Sequence, residues 1–306
     1  MARRRRGRPV HGWLVLDKPE GLTSSDAVAR VKWFYQAAKA GHAGTLDPLA
    51  SGVLPIALGE ATKTVSFAID GVKGYRFTVT WGVETETDDA EGAALKTSGA
   101  RPDRADIERV LPRFTGDIEQ VPPRYSAIKV DGARAYDLAR DGAEFELAPR
   151  TVTVAALSIL EVPDKDHCML EAVCGKGTYV RSLARDLGRE LGCFAHVSAL
   201  RRTRVGPFHD SAAISLDKLQ QLGHSAAGFE GLDAVLVPVE TALDDIPALA
   251  ISGDDAARLA RGQAVLLRGR DAPILSGPVY ATSRGVLVAL GEVIRGELRP
   301  RRVFNL

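Results

Sequence analysis

The chain has no run of 18 uninterrupted apolar residues, so no segment reads as a membrane-spanning helix. It carries only three cysteines, Cys168, Cys174 and Cys193. These are too few for a disulfide framework and lack the paired CxxC spacing of a zinc site, and a reduced, cytoplasmic setting is expected. Net charge is nearly absent as well: 40 Lys and Arg against 39 Asp and Glu leave +1, which removes any argument from global charge for a polyanionic partner. No apolar h-region with a small-residue cleavage site follows the N-terminal arginines, so no secretory signal is read. GxSxG and HExxH are missing, and six scattered histidines have no ligand spacing, so no metal is expected. GKGT misses the phosphate-loop pattern, because Lys176 is followed by Gly177 rather than Ser or Thr.

What is present is an ordinary globular composition. The chain has 306 residues, 45% of them hydrophobic and 26% charged, enough for about two domains of roughly 150 residues. Charge is segregated rather than absent. Arg3 to Arg6 and Arg8 crowd the N-terminus, Arg201, Arg202 and Arg204 form a second group, and Arg295, Arg299, Arg301 and Arg302 a third. Glu84, Glu86, Asp88, Asp89 and Glu91 concentrate the acid. Such blocks imply a polarised surface. Arg outnumbers Lys by 30 to 10; guanidinium suits bidentate phosphate contact and stacking on bases, although genome composition alone can give the same excess.

Residues 1–10 read as a disordered basic tail. HGWLVLDKPEG then reads as a strand entering a turn, followed by a helix capped by Ser24 or Ser25. YRFTVTWG alternates as a strand, and the acidic ETETDDAEG after it reads as an exposed loop. Pro102 to Phe114 carries a helical face, GARAYDLARDG is a short basic helical insert, and RTVTVAALSIL and HCMLEAVC read as strands. Thr178 is the expected cap of a helix running to Leu191, with Val180, Leu183, Ala184 and Leu187 inward and Gly192 as its stop. Arg181 flanks that apolar stripe, whereas Arg185 and Arg189 turn further toward solvent. VPVETALDDIP reads as a linker, and about 60 residues of mostly β character follow it, suggesting a small appended barrel.

One segment stands apart. Between Ala40 and Gly59 the only charged residue is Asp47, set among glycines, prolines and aliphatics in GHAGTLDPLASGVLP. A carboxylate buried there needs a supporting cation or is neutralised. Pro48 biases Asp47 toward extended backbone, which suits the presentation of a reactive group; an Asp-Pro turn with its carboxylate on nearby amides is the plainer reading. Arg181 is the candidate cation.

GHAGTLDPLASGVLPIALGEATK closely resembles the catalytic motif of the TruB family of tRNA pseudouridine synthases. The likeness continues through LDKPEGLTSSDAV, GYRFTVTWGVETETDDAEG, VPPRYSAIKVDGARAYDLAR, GTYVRSLARDLG and VSALRRTRVGPF. These pieces keep the family order across about residues 12 to 210. GVLVALGEVIRGELRPRRVFNL resembles, more weakly, the small PUA-type RNA-binding barrel.

The resemblance implies an α+β fold with a mixed, mainly antiparallel sheet and flanking helices. It implies a catalytic domain over 11–244, with an RNA-gripping insert at about 124–150, and a PUA-like barrel over 245–306. It implies isomerisation of uridine 55 in the T loop of tRNA to pseudouridine without cofactor or metal, by a monomer with no obligate protein partner and no membrane association. Asp47 matches the essential aspartate, a nucleophile on C1′ or a base at C2′. Tyr75 matches the aromatic that stacks on the base and helps remove the C5 proton, and Arg181 the arginine that pairs with the aspartate. Tyr179 and Leu200 match pocket walls, His42 the residue that fills the space left by the flipped base, and Lys18 and Tyr125 further substrate-binding positions. The alternatives are a noncatalytic tRNA-binding or folding protein on the same scaffold, and a glycoside hydrolase. The latter usually needs two carboxylates about 5 to 9.5 Å apart.

Overall fold

The structure is a computed structural model that describes residues 7–130, 132–267 and 276–306. Alternating apolar sequence forms β1 (Gly12–Lys18), followed by α1 (Ser24–Phe34), β2 (Ala40–His42) and β3 (Ser51–Leu58). After α2 (Val65–Asp70) come β4 (Lys73–Trp81), the small pair β5 (Val83–Thr85) and β6 (Ala94–Thr97), α3 (Arg104–Val110) and β7 (Gly116–Gln120). The hairpin of β8 (Lys129–Val130) and β9 (Ala133–Arg134) leads into α4 (Ala135–Arg140), and then into β10 (Arg150–Glu161) and β11 (His167–Cys174). The elements α5 (Val180–Glu190), β12 (Ala195–Val205), β13 (Phe208–His209), β14 (Ile214–Ser215), α6 (Leu216–His224) and α7 (Gly228–Asp233) follow.

Ten of these strands make one sheet in the order β14-β1-β3-β12-β4-β11-β10-β7, with β2 on β3 and β13 on β12. The β1/β14 and β3/β12 pairs are parallel and the others antiparallel, the mixed, mainly antiparallel α+β sheet that was expected. One face packs Leu14, Leu16, Leu54, Ile56, Phe77, Val79 and Leu170 against Leu183 and Leu187 of α5. The helix comes close to the sheet because Gly188 has no side chain: a Cβ there would lie 2.4 Å from the Ala195 nitrogen.

The segment around Pro55 is a central strand, β3, although proline cannot donate to a ladder. It is accommodated because β12 pairs with Ser51 and Gly52 and β2 with Ile56 to Leu58, which leaves Pro55 between the two ladders. Thr23, not Ser24 or Ser25, caps α1, and Tyr179, not Thr178, occupies the N-cap of α5, without a capping side-chain bond. The acidic stretch is not an exposed loop: Glu84, Asp88 and Asp89 are 2%, 6% and 3% exposed. They face α5, where Arg185 is buried rather than turned to solvent.

Of the basic tail, residues 1–6 lie outside the described residues. Two residues of its described end are held: Val10 is buried, and Arg8 pairs with Asp233 through two contacts at 2.5 and 2.7 Å while lying over the Phe229 ring.

The expected linker is packed too. Val237 bridges to Trp13, and Val239, Ala242 and Leu243 are buried. Beyond it lie β15 (Ala248–Ala250), α8 (Gly253–Ala260), β16 (Val265–Leu266), β17 (Gly277–Ser283), β18 (Val286–Ile294) and β19 (Glu297–Val303), a second sheet of order β15-β17-β18-β19-β16. Its two hairpins turn on Arg284-Gly285 and Arg295-Gly296. All four residues have positive φ, the two-residue turn whose twist matches the strands.

Candidate active site

Asp47 sits on the loop between β2 and β3, and side chains from three other elements hold that loop by its carbonyl groups. Lys18, at the end of β1, is fully buried; its Nζ donates to Pro19 O and Leu22 O, both at 2.8 Å, and to Pro48 O at 3.4 Å. Ser24 donates to Leu46 O at 2.9 Å and accepts from Leu46 N at 2.8 Å. Arg202, on β12, donates to Gly44 O, Thr45 O and Val53 O. The loop is thus an irregular segment whose inward carbonyls are satisfied by side chains instead of by a ladder.

Arg181 enters from the first turn of α5. Its Nε lies 2.9 Å from Asp47 Oδ2, an ion pair set off the N–H axis. The rest of the guanidinium is occupied: Nη1 donates to Thr87 O at 2.9 Å and faces Asp89 Oδ2 at 3.3 Å, and Nη2 donates to Tyr125 O at 2.9 Å. The Arg181 side chain is 6% exposed and that of Asp47 37%, so the pair is anchored at one end and open at the other. Charge-assisted bonds of this kind orient as well as attract.

Tyr75, on β4, stands opposite Arg202 in register and is half-buried. Burial pushes its phenol up, the Arg202 guanidinium draws it back down, and the Asp47 charge adds to the rise. Tyr179 sits where α5 begins; its phenol is likewise raised by burial and feels Asp47. Gln120 holds the Tyr179 backbone from both sides, donating to its O at 3.1 Å and accepting from its N at 2.8 Å. Leu200 is buried beside Phe77, its register partner. His42 is half-buried on β2, and burial together with Arg202 holds its imidazole below the usual histidine range.

Lys18 is buried with its ammonium on backbone carbonyls, that of Pro48 next to Asp47 among them, and burial brings it down to about 8. Tyr125 contributes its carbonyl to Arg181, while its phenol donates to Glu86 at 3.0 Å. In the insert, the Arg140 guanidinium lies 5.7 Å from the Tyr136 ring and that of Arg124 lies 5.1 Å from Phe145.

Sequence reasoning missed Asp89, Ser24, Gln120 and Arg202. Asp89 is hidden in an acidic run that imitates a solvated loop. Arg202 had a signal: strand alternation in SALRRTRV puts positions 200 and 202 on one face, and Leu200 marks that face as buried.

Comparison with known proteins follows the same lines. A TruB family pseudouridylate synthase N-terminal domain profile matches residues 32–180, and a tRNA pseudouridylate synthase B C-terminal domain profile matches residues 181–244. The chain is 64% identical over 304 residues to a protein of Bradyrhizobium diazoefficiens named tRNA pseudouridine synthase B, covering 99% of this chain and 88% of that one. A protein of the same name from Brucella anthropi is 51% identical, with 100% and 99% covered. Among solved structures, the chain resembles one from an H/ACA RNP bound to a substrate RNA containing 2′-deoxyuridine, with TM-score 0.75, 26% identity, and 100% and 92% covered. It also resembles one from a Cbf5-Nop10-Gar1 complex, with TM-score 0.74, 29% identity, and 96% and 85% covered.

Proposed function

Because the chain belongs to the TruB family of pseudouridylate synthases, we propose that it converts uridine 55 in the T loop of tRNA to pseudouridine, with Asp47 as the group that acts on the ribose. The observation that carries this reading is the Asp47–Arg181 pair: a carboxylate kept beside a buried guanidinium yet open on its other side. Such a carboxylate is held oriented next to a cation and has an accessible oxygen. It can meet the sugar of an extruded nucleotide either as a nucleophile on C1′ or as a base at C2′. Cleavage of N1–C1′, rotation of the uracil and bonding of C5 to C1′ complete the isomerisation, and Tyr75, whose phenol feels the Asp47 charge, is assigned to stack on the ring and assist loss of the C5 proton. A stacked uridine must first leave the RNA helix, at about a few kcal/mol. His42 and the segment around Tyr125 and Tyr136 are assigned to RNA contact. The C-terminal sheet, with exposed Arg295 and Arg302, is assigned as a PUA-like RNA-binding unit.

The test is tritium release from tRNA transcript labelled at uridine C5, with a parallel transcript lacking uridine 55. Release from the first and not the second is the expected result. No release from either, with tRNA bound, favours a binding or folding role; equal release from both moves the target elsewhere.

A further inference from the structure

Arg202 is 2% exposed, and among the described residues it makes no ion pair. A buried guanidinium held only by neutral groups is costly, and a fold keeps it where its shape is needed. All three of its nitrogens are engaged: Nε donates to Val53 O at 2.8 Å, Nη1 to Thr45 O at 3.2 Å and Nη2 to Gly44 O at 3.1 Å. Gly44 and Thr45 precede Asp47 in the loop and Val53 lies in β3, which follows it, so one rigid plane ties the incoming limb of the loop that carries the carboxylate to the strand that receives it. The same residue stands opposite Tyr75 across β12 and β4, and opposite Gly52 across β12 and β3. Gly52 has positive φ, and a Cβ there would lie 2.2 Å from Arg202 O, so backbone as well as side chain fixes the separation.

We propose that Arg202 is a positioning residue for the isomerisation: its guanidinium fork braces the incoming limb of the Asp47 loop against β3 and fixes that carboxylate relative to Tyr75. The proposal rests on the function assigned above and adds a residue that meets neither ribose nor base. Its chemistry is specific to arginine. A lysine ammonium keeps the charge but donates from one atom, and cannot replace three separate nitrogens that each meet a different carbonyl in one plane. An aliphatic side chain fills the volume and leaves all three carbonyls unpartnered. Displacing a reacting group by about 1 Å costs on the order of 100-fold in rate. The loss therefore belongs in the chemical step and not in RNA binding, because Arg202 is covered.

The experiment compares wild type, Arg202→Lys and Arg202→Gln. It measures single-turnover formation of pseudouridine at saturating enzyme, tRNA affinity by filter binding, and the melting temperature. Arg201→Lys is the control, since Arg201 is a half-exposed neighbour paired with Asp17. The expected result is a single-turnover rate about 10- to 100-fold lower in both Arg202 variants, with tRNA affinity within about twofold of wild type and the control unaffected. A folded Arg202→Lys enzyme with the wild-type single-turnover rate overturns the proposal. So does a variant that loses tRNA affinity in proportion to rate. If neither variant folds, the Nε–H of Arg202 in the wild-type protein is observed by NMR. Exchange with solvent at least about 100-fold slower than at Arg201 supports the brace, and equal exchange overturns it. A wild-type enzyme that makes no pseudouridine fails the function assignment instead, and the exchange measurement then decides the brace by itself.

Discussion

Asp47 and Lys18 show how much of this site depends on what lies next to one charge. The Asp47 carboxylate has Arg181 on one side and an open face on the other. Asp47→Asn keeps the size and the loop but removes both the nucleophile and the base. Pseudouridine formation is expected to fall below detection in single turnover while tRNA affinity stays within about threefold, since exchanging one carboxylate for a neutral amide changes few phosphate contacts. Retained turnover removes Asp47 from the chemistry. Lys18 poses the opposite case, a cation in a dry place. Burial lowers its ammonium from 10.5 to about 8. The unfolded chain therefore binds more protons than the folded one between those values, and the cost of the buried charge is full below pH 8 and is relieved as pH rises. The thermal midpoint is expected to climb between pH 8 and 9, and Lys18→Met to flatten that climb; Lys73, also brought down to about 8, keeps a residual slope. Above pH 9 the buried thiols of Cys168 and Cys174, pushed up to about 11 and 12, work the other way, so the window closes there. An unchanged slope in the variant contradicts the assignment to Lys18.

At the scale of elements, α5 and the acidic segment after β4 form a ladder of paired charge, buried at Arg181 and Arg185 and half-exposed at Arg189. Arg181 faces Asp89, Arg185 lies 2.8 Å from Asp88, and Arg189 lies 2.7 Å from Glu84, so successive turns of the helix each take one carboxylate. The ladder fixes the azimuth of α5 and hence the direction in which Arg181 points. Arg185→Met leaves Asp88 buried and unpaired, at about 3 to 5 kcal/mol. Adding Asp88→Asn, a residue that tolerates the positive φ of 61° at that position, is expected to recover part of the loss. Burial already holds the Asp88 carboxyl up at about 6. Losing Arg185 raises it further, so the single variant's deficit is smallest below about 6, where both folded states hold the proton, and grows as pH rises above that value. Urea titrations at pH 5 and pH 7.5 check this; equal deficits at both refute it.

The same ladder explains what can be read from the sequence and what cannot. Asp47 is legible because one charge in an apolar stretch is a local anomaly, and the strand and helix periods of YRFTVTWG and of residues 180–191 are local too. The acidic run, the linker and the described end of the tail, at Arg8 and Val10, are misread for one shared reason. Polarity within a window reports exposure only if nothing charged or apolar arrives from elsewhere, and here Arg185, Trp13 and Asp233 arrive from about 100 to 230 residues away. Arg202 is obscured in the same way, because its partners are carbonyl groups, which every residue has.

For the whole molecule, the decisive feature is that the two sheets share a core. Trp13, Phe208, Val239 and Leu243 from the first part pack in one cluster with Leu287, Leu290 and Phe304 from the second. Lys63 ties the edge of this cluster by donating to Glu60 and to Val303 O at 2.7 Å, and Asn305 N donates to Glu60 at 2.9 Å. Glu60 and Lys63 lie directly after β3, the strand that closes the Asp47 loop, so the C-terminal segment is anchored on the catalytic sheet and does not hang from a flexible tether. Two independently stable domains melt in two transitions, whereas domains joined by a common apolar core melt together. A single calorimetric transition is therefore expected for the intact chain. Phe304→Ala, which empties a buried site at the joint, is expected to cost about 3 kcal/mol and to move that whole transition. A chain ending before Ile246 uncovers Leu243 and Phe208, and is expected to melt lower still and to lose activity through instability as well as through weaker RNA contact. If Phe304→Ala splits the melt and shifts only one component, the core does not couple the two parts, and the C-terminal sheet is instead an autonomous domain whose removal leaves the chemistry of the first intact.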